Sequence, residues 1–189
     1  MSSIVLENYR KTIRDLSYDS TNDEYMTDSL VQAIDFDRVK DQFTSRIGYR
    51  DCKSPMSNDV FYTDSDGTHY FIEFKNGANI LPHMLSQKNY DSTIILAILL
   101  SEKLEDLKDN LQYILVYNEE KITEESLINR YVQNSKERDS IGKFFSKKAK
   151  TTFIFFQQDF FKGYLFSEVF TLNKKEFQEM FVSKWNQID

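Results

Sequence analysis

Three charged residues around one short turn, Asp59, Glu73 and Lys75, could act together in chemistry. Glu73 and Lys75 belong to the segment THYFIEFK, whose aromatic and β-branched residues predict a strand. Because side chains along a strand alternate between its two faces, Glu73 and Lys75 point to the same face. Charged groups in an otherwise apolar strand are costly unless they are paired or bind a ligand. The pair therefore indicates a candidate site.

Asp59 begins the preceding segment, DVFYT, which the acidic turn DSDG joins to THYFIEFK. This arrangement predicts an antiparallel hairpin, and a register of about seven residues on each side of the turn places Asp59 opposite Glu73. Two carboxylates provide the hard oxygen ligands that Mg²⁺ prefers, with Mn²⁺ as a substitute, and a neighbouring lysine can orient or help to deprotonate a water. The group predicts phosphodiester hydrolysis, with Lys75 stabilising charge at the attacking side.

A helix before the hairpin and a crossover after it must position these residues. Apolar residues recur at helical spacing over residues 36–47, where Asp35 or Asp37 can serve as N-cap and Gly48 ends the helix. A second, longer helix is predicted from Pro82 to about Leu107.

The segment that follows, residues 111–118, is a nearly continuous apolar strand. Strand, helix and strand of these lengths predict a crossover that lays the new strand beside the hairpin, buried on both faces.

The two ends of the chain give weaker signals. Residues 4–16 have near-helical apolar spacing, and the polar stretch SYDSTNDE predicts a loop. Beyond residue 118, ITEESLINRYVQ predicts a helix, TTFIFFQ a buried strand, and GYLFSEVFTL a strand or an irregular aromatic segment. Asn173 and Glu176 have the spacing of a capping box before a final helix.

The segment SNDVFYTDSDGTHYFIEFKNG resembles the signature of the PD-(D/E)XK nucleases, in which an Asp heads one strand and Glu-x-Lys follows after a hairpin. Asp59 matches the first acidic position, Glu73 the second and Lys75 the lysine. The resemblance implies that the main-chain carbonyl of Phe74 is a further metal ligand. It also implies an α/β fold with the restriction-endonuclease-like αβββαβ core, a mixed central sheet flanked by helices, over roughly residues 36–118.

The chain departs from that family at some positions. Ser57 and Asn58 stand where the family has a Pro before the first Asp. Many members add an acidic residue from the helix before the hairpin, and Asp41 and Glu7 are the candidates here. Some relatives add a Gln or Lys from the following helix.

Gln87 and Lys88 could fill that last position, although ordinary surface exposure is the favoured interpretation for both. His69 is interpreted as a residue of the strand surface and His83 as a residue of the helix start. Neither is favoured as a metal ligand.

The Glu-x-Lys pattern has little weight without its setting, because Glu119 and Lys121 form another in a polar segment. The alternative for Glu73 and Lys75 is a cross-strand ion pair, worth about 0 to 1 kcal/mol. The apolar strand, the upstream Asp59 and the crossover favour the nuclease-type site.

The amino-acid composition argues against several other kinds of site and protein. The 189 residues predict a single domain, and the lone cysteine, Cys52, excludes an internal disulfide and fits a reducing compartment. Two histidines are too few for a His-rich metal site. The longest apolar run is too short to span a bilayer, so a soluble, cytoplasmic protein with no membrane partner is expected.

The net charge of −6 argues mildly against nucleic-acid binding. The basic segment 136–150 is the candidate phosphate-binding surface, although a solvated charged face is the commoner meaning of such a run.

Two hypotheses follow. The first is a Mg²⁺-dependent endo- or exonuclease that acts on DNA more than on RNA, in bacterial or phage nucleic-acid processing, restriction or defence. The second is a catalytically silent protein on the same scaffold that acts as a protein-binding, immunity or regulatory module. Either could form a homodimer or bind a protein partner.

Overall fold

The computed structural model describes residues 5–49, 54–123, 127 and 154–186. The described part contains eight strands: β1 (Arg10–Thr12), β2 (Tyr18–Asp19), β3 (Glu24–Tyr25), β4 (Gln32–Asp35), β5 (Val60–Thr63), β6 (His69–Lys75), β7 (Leu111–Tyr117) and β8 (Glu168–Asn173). Six of them form one sheet in the order β1-β4-β5-β6-β7-β8, and β2 pairs with β3 separately. The pairs from β1 to β6 are antiparallel, whereas β6, β7 and β8 run parallel, so the sheet is mixed.

The helices of the described part are α1 (Ile13–Leu16), α2 (Phe36–Arg46), α3 (Pro82–Leu100), α4 (Leu104–Asn110), α5 (Lys174–Phe177) and α6 (Ser183–Trp185). Short 3₁₀ turns cover Leu6–Tyr9 and Asp159–Phe161, and a π-helical turn, Gln178–Val182, joins α5 to α6. No helix in the described ranges combines the length and the apolar character that a membrane crossing needs.

The predicted hairpin is confirmed as β5 and β6, which pair from Val60 opposite Ile72 to Thr63 opposite His69. The Asp64 carboxylate holds the turn, because it accepts hydrogen bonds from the main-chain N–H groups of Asp66 and Thr68 at 3.0 and 2.9 Å. The register, continued by one residue beyond Val60, brings Asp59 opposite Glu73.

The predicted crossover is also confirmed, since α3 and α4 lead into β7, which lies parallel to β6. α3 ends at Leu100 instead of about Leu107, because Ser101 adopts a left-handed backbone with φ of 58° and α4 begins after it. The side chains of β7 enter two cores on opposite faces of the sheet, as expected for a strand buried on both sides.

Helices cover both faces of the sheet, and one hydrophobic core lies under each helical layer. On one face of the sheet, Phe71 contacts Phe36 of α2, and Leu85 of α3 belongs to the same core. On the other face, Phe74 contacts Phe177, and Trp185 belongs to the same core. The helix α2 begins as predicted, with the Asp35 side chain accepting from the N–H of Arg38.

Several predictions for the ends of the chain were wrong. Residues 6–16 form a 3₁₀ turn, β1 and α1 instead of one helix, because β1 pairs with β4 at the sheet edge. The stretch SYDSTNDE forms most of the hairpin β2–β3 instead of a loop. Residues 154–157 of TTFIFFQ are not in a strand, and β8 fills the edge beside β7.

Three other predictions concern the C-terminal third of the chain. Most of ITEESLINRYVQ and the whole basic segment 136–150 lie outside the described residues. The capping box of Asn173 and Glu176 is confirmed.

Candidate metal and catalytic site

The three residues singled out by the sequence lie together, and a fourth joins them. The Lys75 Nζ atom lies 2.5 Å from Oε1 of Glu73. The Lys88 Nζ atom lies 2.6 Å from the same oxygen and 3.2 Å from Oδ1 of Asp59. Two carboxylates and two ammonium groups therefore form one cluster.

The strand alternation that the sequence predicts explains this geometry. Glu73 and Lys75 share the face of β6 that packs toward α3, whereas Phe74 enters the opposite core. Because Lys88 touches both carboxylates, Oδ1 of Asp59 and Oε1 of Glu73 lie no farther apart than the sum of its two contact distances. The two carboxylates therefore lie within about 6 Å of each other on the same side of the sheet.

The main chain of Phe74 faces Asp59. Its N–H donates to Oδ2 of Asp59 at 2.7 Å. The N–H and C=O of one residue in a strand point to the same edge, and the next carbonyl, that of Lys75, accepts from Asn118 on the opposite edge at 3.1 Å. The Phe74 carbonyl is therefore on the Asp59 side, as a metal ligand would have to be.

Glu73 is fully buried, and its second oxygen, Oε2, has no hydrogen-bond partner among the described residues. Burial raises its pKa to about 7, with a further contribution from the Asp59 carboxylate. Lys88 and Lys75 act in the opposite direction, because their positive charges favour the ionised form. An additional positive charge nearby would thus stabilise the ionised form of Glu73.

The expectation that Lys88 is an ordinary surface residue was wrong. Only 14% of its side chain is exposed, because Lys88 lies on the inner face of α3 with Leu85 and Ser92. Burial lowers the pKa of Lys88, but the Asp59 and Glu73 carboxylates together outweigh it and raise the pKa. The sequence did contain a signal for this burial. Lys88 follows Leu85 by three residues and precedes Ser92 by four, a spacing that places all three on one face of the helix. Gln87 is exposed on the other side of α3, as predicted.

The nomination of Asp41 or Glu7 as a third acid was also wrong. Asp41 pairs with Lys40 at 2.8 Å and Glu7 pairs with Arg10, and both carboxylates are largely exposed. The acid that α2 brings to the site is Asp37, from its first turn.

Asp37 accepts a hydrogen bond from the Ser57 hydroxyl, beside Asp59. Desolvation raises the pKa of Asp37, the Ser57 hydrogen bond lowers it, and the Asp59 charge raises it again. Solvent still reaches the Asp37 side chain, so the net rise is moderated by water. The sequence had suggested Asp37 only as an alternative helix cap.

Next to the cluster is a pocket of about 440 Å³, here called the site pocket. It lies between the β2–β3 hairpin, the start of α2 and the end of β6. Its lining comprises five aspartates and two lysines among other residues: Lys11, Asp15, Leu16, Ser17, Tyr18, Asp19, Met26, Asp35, Asp37, Asp59, Phe74, Lys75 and Asn76. A negatively charged lining attracts cations and repels a bare phosphate.

No group of three or more His, Cys, Asp or Glu side chains in the described ranges is arranged to hold a metal ion. A metal at this site would thus depend on Asp59, Glu73 and the Phe74 carbonyl, with water completing its shell. Mg²⁺ tolerates such a shell, since it commonly keeps several waters and takes one or two carboxylates.

Neither histidine belongs to the site. The His69 ring lies against Phe61 on the hairpin and its Nδ1 is 2.8 Å from the Thr63 hydroxyl. His83 is exposed at the start of α3, as the sequence predicted.

Comparison with known proteins gives no relative: the chain matches no protein-family model, no curated protein and no solved structure. The resemblance to the PD-(D/E)XK nucleases therefore stays a prediction based on the residues named above.

Proposed function

We propose that this chain is a metal-dependent nuclease with the restriction-endonuclease-like fold, acting on phosphodiester bonds of DNA more than of RNA. The observation that carries the proposal is the convergence of Asp59 and Glu73 beside Lys75, at the end of a hairpin followed by a parallel crossover. Bacterial or phage nucleic-acid processing or defence is the setting that we propose.

The residues present fit Mg²⁺ or Mn²⁺. Asp59, Glu73 and the Phe74 carbonyl would hold the ion, and all three are hard oxygen donors. Oε2 of Glu73, buried without a hydrogen-bond partner among the described residues, is an acceptor of the kind that a cation satisfies. When bound, the ion would neutralise charge on the phosphate and lower the pKa of a water.

The chain's own residues supply the remaining functions. The Lys75 ammonium, 30% exposed at the edge of the site pocket, can orient the attacking water and stabilise developing negative charge. Lys88 holds the two carboxylates in place from the side of α3. Its charge also offsets part of the repulsion between the acidic lining and a phosphate backbone.

One observation favours the second candidate function, a catalytically silent protein-binding, immunity or regulatory module. Lys75 and Lys88 together carry two positive charges against the two negative charges of Asp59 and Glu73. A balanced ion cluster of this kind can be purely structural, because each charge has a partner. Metal binding separates the two functions, since only the nuclease requires it.

The test is a cleavage assay on single- and double-stranded DNA and RNA, with Mg²⁺, with Mn²⁺ and with a chelator. We expect metal-dependent cleavage that falls by about 100-fold or more in Lys75→Met and Glu73→Gln. Lys162→Met is the matched control, because Lys162 is an exposed lysine paired with Glu168 outside the site.

The control should cleave at the wild-type rate. Absence of cleavage by the wild type on all four substrates would reject the nuclease and leave the silent module. Cleavage at equal rates by wild type and Lys75→Met would reject the catalytic role assigned to Lys75.

A further inference from the structure

Three buried side-chain atoms have no hydrogen-bond partner within the part of the chain that the structure describes. They are Oδ1 of Asn58, Oε2 of Glu73 and the hydroxyl of Tyr113. All three residues are fully buried. Buried polar groups in folded proteins are nearly always hydrogen-bonded, either to protein or to ordered water. Each of these atoms therefore needs a partner.

A chain of buried amide side chains settles which atom of Asn58 is unpaired. Nε2 of Gln158 donates to the main-chain carbonyl of Phe156 at 2.8 Å, so its Oε1 faces Asn89. Nδ2 of Asn89 donates to that oxygen at 3.1 Å, and its Oδ1 accepts from Nδ2 of Asn58 at 3.0 Å. Because a main-chain carbonyl only accepts, turning any one amide over would break the chain. The unpaired atom of Asn58 is consequently an acceptor.

The register of the sheet places Tyr113 beside Glu73. On the parallel strands β6 and β7, Phe71 is opposite Tyr113 and Glu73 is opposite Leu115. Side chains two positions apart on a strand share a face, so Tyr113 and Glu73 are diagonal neighbours on the face that α3 covers. Burial raises the pKa of Tyr113, and the Glu73 charge raises it further, as expected for a phenol near a carboxylate. The two groups nevertheless make no hydrogen bond to each other.

The helix α3 brings Asn58 to the same place. Asn89 of α3 accepts the hydrogen bond from the Asn58 amide. The residue before it, Lys88, contacts Oε1 of Glu73 at 2.6 Å. Burial raises the pKa of Tyr113 and Asn89 partly opposes that rise, so Asn89 lies beside the phenol as well. The three unpaired atoms thus belong to residues that meet under Lys88 and Asn89.

We infer that Asn58, Glu73 and Tyr113 enclose one buried water, which makes Tyr113 a positioning residue for the Glu73 carboxylate. The water donates its two protons to the two acceptors, Oδ1 of Asn58 and Oε2 of Glu73, and accepts from the Tyr113 hydroxyl. Three hydrogen bonds are typical of a buried water. A direct contact between the first two atoms would instead set two acceptors against each other.

This water is compatible with the metal site of the proposed function. A carboxylate oxygen has two lone pairs, so Oε2 of Glu73 can accept from the water and still contact a cation. Carboxylates that bind a metal are commonly held by outer hydrogen bonds, and loss of such a bond weakens metal binding by about 10- to 100-fold. Only this effect on metal affinity rests on the proposed function, whereas the water and its contacts do not.

High-resolution crystal structures of the metal-free wild type and of Tyr113→Phe test the water directly. In the wild type we expect one water in hydrogen-bonding contact with Oδ1 of Asn58, Oε2 of Glu73 and the Tyr113 hydroxyl. In the variant the third contact should be lost. A wild-type structure with no water between these atoms, or with a direct hydrogen bond between any two of them, overturns the inference.

Urea unfolding gives a second test, in which the sign of the change is decisive. Tyr113→Phe should raise the unfolding equilibrium constant about fivefold or more, because it removes a hydroxyl that is hydrogen-bonded in the folded state. A hydroxyl buried without any partner would behave in the opposite way, since its removal would relieve the cost of burying it. An equilibrium constant that falls or stays unchanged overturns the inference.

Isothermal titration calorimetry with Mn²⁺ tests the positioning role. Tyr113→Phe should raise the dissociation constant for Mn²⁺ about 10-fold or more. Tyr70→Phe is the matched control, because Tyr70 is a buried tyrosine of the opposite core whose hydroxyl donates to Asp64 at 2.8 Å. The control should lose stability and keep the wild-type dissociation constant.

Equal dissociation constants for the wild type and Tyr113→Phe would overturn the positioning role. A wild type that binds no Mn²⁺ would instead reject the metal of the proposed function. The crystal structures and the unfolding measurements would then decide the inference on their own.

Discussion

At the scale of single residues, Glu73 has the least favourable electrostatic position among the residues of the site. Its carboxylate is fully buried, contacts two lysines through Oε1 and faces the Asp59 carboxylate. Burying a charge is costly, and the two ammonium groups offset only part of that cost. Its protonation and its ion pairs should consequently be visible in stability measurements.

The stability of the metal-free protein should decrease as pH rises from about 4.5 to about 7. The folded state raises the pKa of Glu73 from 4.5 to about 7, mainly by burial. Between these values the folded protein keeps a proton that the unfolded chain has released, so stability is highest below the unfolded pKa and is lost as pH rises through the folded one. The full effect is on the order of 3 kcal/mol.

Urea unfolding in the presence of a chelator, at a series of pH values, measures this dependence. Glu73→Gln removes the titrating group, so the difference between variant and wild type isolates Glu73 from other groups such as His69 and Asp37. A wild-type profile that runs parallel to the Glu73→Gln profile over this range would contradict the assigned pKa.

Lys88→Met should destabilise the metal-free protein and increase its response to metal. Removing the ammonium leaves Asp59 and the buried Glu73 with less positive charge between them, at a cost of about 3 kcal/mol. Because Lys88 and a bound cation would neutralise the same two carboxylates, the rise in Tm on adding Mn²⁺ should be larger in the variant. Equal rises in Tm for variant and wild type would indicate that Lys88 and the metal do not act on the same carboxylates.

At the scale of elements, the end of α3 fixes how the crossover reaches β7. Ser101 caps the helix in the left-handed region, with φ of 58° and ψ of 34°, and its N–H donates to the carbonyls of Ala97 and Ile98. A side chain is disfavoured in that conformation, which glycine adopts without strain. The sequence predicted a continuous helix here because apolar spacing continues through Leu104 and Leu107.

Ser101→Gly should therefore stabilise the protein, by about 0.5 to 1 kcal/mol. Ser86→Gly within α3 is the matched control, and it should destabilise by about the same amount because glycine is a poor helix former. Chemical denaturation measures both changes. A loss of stability in Ser101→Gly would show that the serine side chain contributes more than the backbone conformation costs.

At the scale of the whole molecule, the small β2–β3 hairpin closes one side of the site pocket. Glu24 of β3 anchors it to the sheet, because its carboxylate accepts from Asn76 at 3.0 Å and from Lys174 at 2.9 Å. Asn118 donates to the same carboxylate. Hydrogen bonding to Lys174, followed by that to Asn76, lowers the pKa of Glu24. These partners follow the carboxyl ends of β6, β7 and β8, so the wall of the pocket depends on three parallel strands.

The molecule thus presents two distinct surfaces on either side of α3. The inner side carries Lys88 toward the site carboxylates, and the outer side carries Ile94 and Ile98 toward water. The cleavage assay tests the inner side alone.

The sequence by itself determined the hairpin, its register and the shared face of Glu73 and Lys75. These features depend on residues close in the chain: strand alternation has a period of two, and the turn between β5 and β6 fixes which residues are opposite. The cap of α2 at Asp35 and the capping box at Asn173 are local in the same sense. The crossover to β7 followed from the lengths of its segments.

Only the tertiary structure decided which further groups reach the site. Lys88 and Asp37 approach Asp59 because α2 and α3 pack on one face of the sheet, and helical spacing alone does not say which sheet face a helix will cover. The N-terminal segment became β1 because it found a partner in β4, a contact between residues about twenty positions apart. Here the pairing with a distant strand outweighed the local preference of the segment for a helix. The local sequence pattern does not encode such a pairing.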